Sequence, residues 1–138
     1  MDRPATVVTF AGVVSALLTL TGCSAGGSTR AAAADAAADF TGALAARHGD
    51  AACALLVPDA RDAVTSETDQ DCAVGVLGLG LPTDVDTGST EVHGRAAIVR
   101  GDGDGTLFLA RSGSTWLVRA AGCTPVPDAP FDCALDGS

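Results

Sequence analysis

Hydrophobic and polar positions divide the chain into three parts with different periods. An apolar run covers Ala5 to Leu20, helical spacing follows from Ala31, and an alternation of period two begins near Thr87. Helical spacing favours amphipathic helices, whereas strict alternation favours half-buried strands. Helices first and antiparallel strands after predict a single α+β domain over residues 31–138, with N-terminal helices packed on a sheet of about four strands.

The helical part predicts one long helix followed by short ones. Ala31 to His48 is rich in alanine, the best helix former, and its apolar residues fall on one stripe. The members of that stripe are Ala33, Ala36, Ala37, Phe40, Ala43 and Leu44. Asp50 is placed to cap a second helix, and Asp69 or Asp71 to cap a further one.

The alternating part predicts two hairpins. One joins 91–93 to 96–99, and the other joins 106–110 to 115–120, with the turn Gly101 to Gly105 between them. In the last strand we expect Trp116, Val118 and Ala120 to share one buried face, because side chains two apart point the same way. We expect the proline-rich tail from Gly122 to be an irregular flap.

The N-terminal apolar run predicts an export signal. It is shorter than the roughly 20 residues that a membrane span needs, and it matches the apolar region of a signal peptide. Its end, Leu20-Thr21-Gly22-Cys23, resembles the lipobox of bacterial lipoproteins. That resemblance implies a signal peptide at 1–22, a diacylglyceryl group on Cys23, and a protein held by lipid on the extracytoplasmic face of the cell membrane. An ordinary secretory signal with an incidental cysteine, or an uncleaved anchor, are the alternatives.

The cysteine count agrees with lipidation of Cys23. The chain has five cysteines, and an odd thiol in a secreted protein needs an explanation. Setting Cys23 aside leaves an even set of four, for which three pairings exist. Local pairing predicts the disulfides Cys53–Cys72 and Cys123–Cys133, the second closing the tail. A zinc site is the alternative, but no CxxC pair supports it.

Composition limits the classes of partner. The formal charge is −9, all eight basic residues are arginine, and aromatic residues make up 4% of the chain. Binding to nucleic acid would therefore add repulsion, so we expect no nucleic-acid partner. Residues 23–30 are small and rich in glycine and serine, which predicts a flexible tether between membrane and domain.

Candidate catalytic chemistry is sparse. The turn Gly101 to Gly105 looks superficially like a calcium loop, but Gly113 stands where an EF-hand needs its last ligand, so we expect a plain turn and no metal. His93 and Trp116 are the candidate lining residues of a pocket. No nucleophile, base and orienting group can be assembled from the sequence, so we expect no catalytic residues, no cofactor and no enzyme.

The tail resembles that of small secreted lipoproteins of actinobacteria. The residues that carry the resemblance are WLVRAAGC at Trp116 to Cys123 and PFDC at Pro130 to Cys133. Such proteins are similar to the cystatin-like, nuclear transport factor 2-like cone, in which helices wrap a curved sheet. Our first hypothesis, based on the anchor and the tether, is a non-enzymatic envelope protein that interacts with another envelope component. The alternative is a small-molecule binding module with an apolar pocket between helices and sheet, and an enzyme built on His93 or a buried Asp is the third hypothesis.

Overall fold

The computed structural model of the protein describes residues 25–138. Its helices come first: α1 (Ala25–Ala45), α2 (Gly49–Ala54), α3 (Pro58–Thr68) and α4 (Cys72–Gly75), followed by 3₁₀ turns at Val76–Gly78 and Thr87–Ser89. The strands follow: β1 (Thr90–His93), β2 (Ala96–Val99), β3 (Thr106–Ser112), β4 (Thr115–Pro125) and β5 (Phe131–Asp136). Each strand pairs antiparallel with the next, in the order β1-β2-β3-β4-β5. The predicted α+β class is confirmed.

The strand count differs from the prediction. The sheet has five strands instead of about four, because the tail expected to be an irregular flap contains β5. The prolines do not prevent this, since Pro125 ends β4 and Pro130 precedes β5. Proline is tolerated at the ends of strands, where its missing N–H interrupts no ladder.

Helix α1 buries the predicted stripe. Ala33, Ala37, Phe40 and Leu44 are all buried, and α1 packs across β1 to β4. The helix begins at Ala25, so residues 25–30 of the predicted tether are helical. Cys23 and the predicted signal peptide lie outside the described residues.

Gly49 is required by a close approach between two helices. A Cβ built on Gly49 would lie 1.8 Å from the carbonyl oxygen of Ala73, so only glycine lets α2 pack this closely on α4. Helix α2 starts at this glycine, with His48 at the N-cap position and no side-chain capping bond. The prediction that Asp50 caps this helix is wrong, because Asp50 lies inside its first turn.

Both predicted disulfides are present. Cys53–Cys72 joins α2 to α4, and Cys123–Cys133 joins opposed residues of β4 and β5. Local pairing is therefore confirmed. The first bridge fastens two helices that are too short to be stable alone, and the second closes the tail as a strand beside β4.

The sheet has an inner face, which the helices cover, and an outer face, which they do not. Side chains of the inner face belong to one core cluster with α1, α2 and α3; they are Ala97, Val99, Leu107, Leu109, Trp116, Val118, Ala121 and Leu135. Ile98, Ala120 and Cys123 are also buried but lie outside that cluster. These residues belong to the outer face, since Ile98 and Ala120 are the cross-strand partners of Phe108.

A bulge at Arg119 moves Ala120 to the outer face. Leu109 pairs with Val118 and Phe108 pairs with Ala120, which leaves Arg119 without an opposite residue. An extra residue in one strand shifts the side-chain alternation by one position. Trp116 and Val118 therefore share the inner face as predicted, but the inclusion of Ala120 on that face is wrong.

The first half of β4 is covered by the segment that follows α2. Val118 donates its N–H to Leu55 at 2.8 Å and accepts from Val57 at 2.9 Å, forming an isolated parallel bridge at Leu56. Because β5 pairs only with Ala120 to Pro125, this segment protects an edge that would otherwise be open to another chain.

Candidate functional site

The outer face carries a groove between β3, β4 and β5. The lining residues of this outer-face groove are Phe108, Arg119, Ala120, Pro130, Phe131, Cys133, Asp136 and Ser138, and its volume is about 360 Å³. Pockets that hold small ligands have volumes of roughly 300–1,000 Å³, with apolar walls and a few polar groups. The groove is therefore large enough for a small molecule.

Two phenylalanines form the apolar wall of the groove. The rings of Phe108 and Phe131 meet edge to face, with centroids 5.0 Å apart and an interplanar angle of 74°. Aromatic pairs favour this arrangement because the positive edge of one ring meets the negative face of the other. Both residues are half-buried, so each ring keeps surface available to a ligand.

The strand pairing brings the apolar wall close to charged groups. Phe108 lies opposite Ala120, and Ala120 lies opposite Asp136. Neighbouring strands are about 5 Å apart, so the backbones of Phe108 and Asp136 are about 10 Å apart. The bulge residue Arg119 precedes Ala120 and is exposed. One cation and one anion thus line the groove together with the apolar wall.

The carboxylate of Asp136 makes an intrachain hydrogen bond through one of its two oxygens. Its Oδ1 accepts a hydrogen bond from the backbone N–H of Ser138 at 3.0 Å. Within residues 25–138, the ion pairs join Glu91 to His93 and to Arg100, so neither Arg119 nor Asp136 takes part in one. Both charged side chains are available to a ligand.

His93 and Trp116 do not form a common pocket. The His93 side chain is 77% exposed, and its Nε2 lies 3.6 Å from Oε2 of Glu91. Val92 packs against the core, which directs its neighbour His93 to the other face. Trp116 is 3% exposed and belongs to the core. The two candidates therefore lie on opposite faces of the sheet, and neither lines the outer-face groove.

Between the helices and the sheet, where the alternative hypothesis expects a pocket, large core side chains are packed. Phe40, Leu56, Val64, Leu107 and Leu109 are at most 1% exposed. The outer-face groove lies on the other face of the same sheet, which the helices do not cover. Sequence reasoning missed it, although consecutive apolar residues at Leu107, Phe108 and Leu109 signal a strand that is apolar on both faces.

A second concavity lies beside the turn between β2 and β3. It has a volume of about 320 Å³, and its lining includes Asp84, Asp86, Asp102 and Asp104. Asp86 is engaged in local structure, where its Oδ1 accepts from the N–H of Gly88 at 2.9 Å. Over residues 25–138, no three His, Cys, Asp or Glu side chains are grouped so as to hold a metal ion.

Arg100 and His93 act on Glu91 at the exposed end of β1. The Arg100 Nε donates to Oε1 of Glu91 at 3.3 Å. This hydrogen bond and the charge of Arg100, helped by a hydrogen bond from His93, hold the pKa of Glu91 below its usual value. The cluster is a local surface interaction and lies apart from the residues that line the outer-face groove.

Compared with protein-family models, curated proteins and solved structures, the chain matches none of them. Within residues 25–138, no helix combines the length and the apolar character that crossing a membrane requires.

Proposed function

We propose that the protein is a lipid-anchored, non-enzymatic binding protein of the extracytoplasmic membrane face, and that its outer-face groove holds a small ligand with an apolar body. The observation that carries the proposal is a preformed concavity of about 360 Å³ with a phenylalanine pair in its wall. Apolar concavities with a few polar groups are the general form of small-molecule sites.

A small ligand fits this surface better than a protein partner does. Protein docking sites expose contiguous apolar patches of several hundred Å². Among residues 25–138, Val74 is the large apolar residue that is mostly in solvent, at 61% exposure. Val74 does not line the groove. The half-buried rings of Phe108 and Phe131 suit a ligand that enters the groove. They suit a broad, flat protein contact less well.

The hydrogen bonds of the polar groups in and near the groove favour binding over catalysis. Asp136 receives the backbone N–H of Ser138 and has no hydrogen bond to a nucleophilic side chain among the described residues. Nucleophilic catalysis needs a nucleophile and a base within hydrogen-bond reach, with the base oriented by a third group. His93, which could serve as a base, is exposed and paired with Glu91 away from the groove.

The fold that we propose is the cystatin-like cone. Support comes from the order of elements, with four helices preceding a five-stranded antiparallel meander. The register shifts in β4 also support it, because bulges bend a strand and increase its twist.

The anchor is proposed from the sequence Leu20 to Cys23, which follows directly on an apolar run. Cells expressing the full chain and fed a radiolabelled fatty acid should label the protein. Replacing Cys23→Ala should abolish the label, whereas Ser24→Ala should keep it. A cleaved Cys23→Ala protein that stays membrane-bound without label would refute lipid anchoring.

The binding site is tested with indole, an uncharged aromatic probe. Titrating indole into the isotope-labelled full chain in lipid nanodiscs should shift NMR signals of Phe108, Ala120, Phe131 and Cys133. Phe131→Ala removes one wall and should weaken binding about tenfold or more, since a buried aromatic contact contributes at least 1–2 kcal/mol. Val126→Ala, also in the tail but outside the groove lining, is the matched control and should bind normally.

Two results would contradict the groove as the site. One is an absence of indole-dependent shifts up to the solubility of indole. The other is a set of shifts centred on core residues such as Phe40 and Leu56, which would place the ligand between helices and sheet.

A further inference from the structure

The outer-face groove is lined by both apolar and charged side chains. Phe108, Phe131 and Pro130 are its apolar lining residues, whereas Arg119 and Asp136 add one positive and one negative charge. A ligand that fills the groove must therefore be amphipathic, with an apolar body and a polar head. The nature of that head depends on the two charges.

The two charged residues of the groove come from neighbouring strands, β4 and β5. Arg119 occupies the bulge of β4, and Asp136 lies opposite Ala120, the residue that follows the bulge. Each side chain lines the groove. Among the described residues, Arg119 and Asp136 form no ion pair with each other or with any other group.

Neither a purely anionic nor a purely cationic head matches this pair of charges. An anion would meet Asp136 and the net charge of −9, whereas a cation would meet Arg119. Like charges placed together in a binding site cost free energy, and opposite charges give specificity. A head that carries both charges satisfies both side chains.

We propose that the groove binds a small zwitterion with an apolar body, which is the chemistry of an aromatic or branched α-amino acid. The ligand carboxylate lies on the guanidinium of Arg119, whose planar donors match a carboxylate in bidentate fashion. The ligand ammonium lies on the free oxygen of Asp136, and the apolar body packs on Phe108 and Phe131. The inference rests on the proposed function, because it specifies what the same groove binds.

The spacing of the strands suits such a ligand. The backbones of Phe108 and Asp136 are separated by two strand spacings, about 10 Å. An aromatic amino acid is somewhat shorter than this backbone spacing, and the side chains of Phe108 and Asp136 extend from the two backbones into the groove. Ala120, between them, is 5% exposed and forms part of the floor of the groove.

Four related probes test the proposal by calorimetry on the full chain in nanodiscs. L-tryptophan carries the indole ring with both charges, tryptamine lacks the carboxylate, indole-3-propionate lacks the ammonium, and indole lacks both. Exposed ion pairs contribute up to about 1 kcal/mol, which corresponds to about fivefold in affinity. L-tryptophan should therefore bind about fivefold more tightly than either singly charged probe.

Two variants, each of which removes one charge, test which group of the ligand each side chain contacts. Arg119→Gln should weaken L-tryptophan and indole-3-propionate about fivefold and leave tryptamine and indole unweakened. Asp136→Asn should weaken L-tryptophan and tryptamine and leave indole unchanged. Arg95→Gln, which removes an arginine outside the groove lining, should change none of the four affinities.

The outcomes separate this inference from the proposed function. If indole binds in the groove but L-tryptophan binds no more tightly, the zwitterion proposal fails and the apolar site stands. If indole-3-propionate or tryptamine binds as tightly as L-tryptophan, the head carries one charge and the proposal also fails. If none of the four probes binds, both proposals fail.

Discussion

The two faces of the sheet differ in what their apolar side chains do. On the inner face, Leu109 is 1% exposed and packs in the core beneath the helices. On the outer face, Leu117 and Phe108 are half-buried and do not belong to the core that the helices cover. Strands that are apolar on both faces normally lie between two layers of structure, whereas here only one layer is present among the described residues.

The inner face stabilises the fold, whereas the outer face carries the groove that we propose as a binding site. Fully buried side chains lose the most when they are truncated, because a cavity remains where the atoms were. Half-buried side chains lose less, but their free surface is what a ligand can contact. Strands β3, β4 and β5 therefore each carry both core side chains and groove side chains.

The largest expected effect comes from truncating matched leucines on the two faces. Leu109→Ala should lower the free energy of unfolding by about 2–5 kcal/mol, as buried Leu to Ala changes do. Leu117→Ala, the matched control on the outer face, should cost about 1 kcal/mol, because only part of its surface is buried. Urea denaturation followed by circular dichroism measures both, and equal costs would remove the distinction between the faces.

The disulfides give a second comparison, with similar effects on stability and different effects on binding. The loops closed by Cys53–Cys72 and Cys123–Cys133 span 19 and 10 residues. In the chain-entropy model each bridge stabilises the fold by about 3 kcal/mol. Replacing either pair by alanine should therefore cost similar stability.

Only the second disulfide borders the groove, because Cys133 is one of its lining residues. The double replacement at 123 and 133 should weaken indole binding, whereas the one at 53 and 72 should preserve it in the folded fraction. Thermal unfolding and indole titration on both variants provide the measurements. Loss of binding in the 53 and 72 variant would show that the helical layer also shapes the groove.

The smallest expected effect concerns Glu91, whose pKa Arg100 lowers. A lowered pKa in the folded state means that the unfolded state binds more protons at acidic pH. The stabilising contribution is therefore present above the usual glutamate pKa and is lost as pH falls through the lowered value. Arg100→Gln should raise the pKa of Glu91, measured by carboxyl NMR, while Arg119→Gln should leave it unchanged.

The chain's local patterns were sufficient for most of the elements. The stripe on α1 and both hairpins follow from helical and alternating periods, and both disulfides follow from local pairing. Strand β5 was missed because prolines at 125, 127 and 130 suggested irregular structure, although they lie at the end of β4 or in the loop. Proline composition alone does not show where a strand resumes.

The groove could not be derived from the sequence because it depends on the bulge. Strict alternation places Ala120 with Trp116 and Val118, whereas Arg119 shifts it to the face of Phe108. The chemistry of His93 and Trp116 makes them candidate pocket residues, but the sequence does not show which face of the sheet each occupies. Only the register shows that Phe108, Ala120 and Asp136 lie in one row.

The bulge at Arg119 also makes the segment of β4 between Trp116 and Cys123 sensitive to insertions and deletions. Six residues separate Trp116, on the inner face, from Cys123, which pairs with Cys133. Deleting one codon before Ala120 would return Ala120 to the inner face and would put the rest of β4, together with β5, out of register with β3. Codon gains and losses should therefore be tolerated in the turn at Gly101 to Gly105, which lines no part of the groove, and be selected against between Trp116 and Cys123.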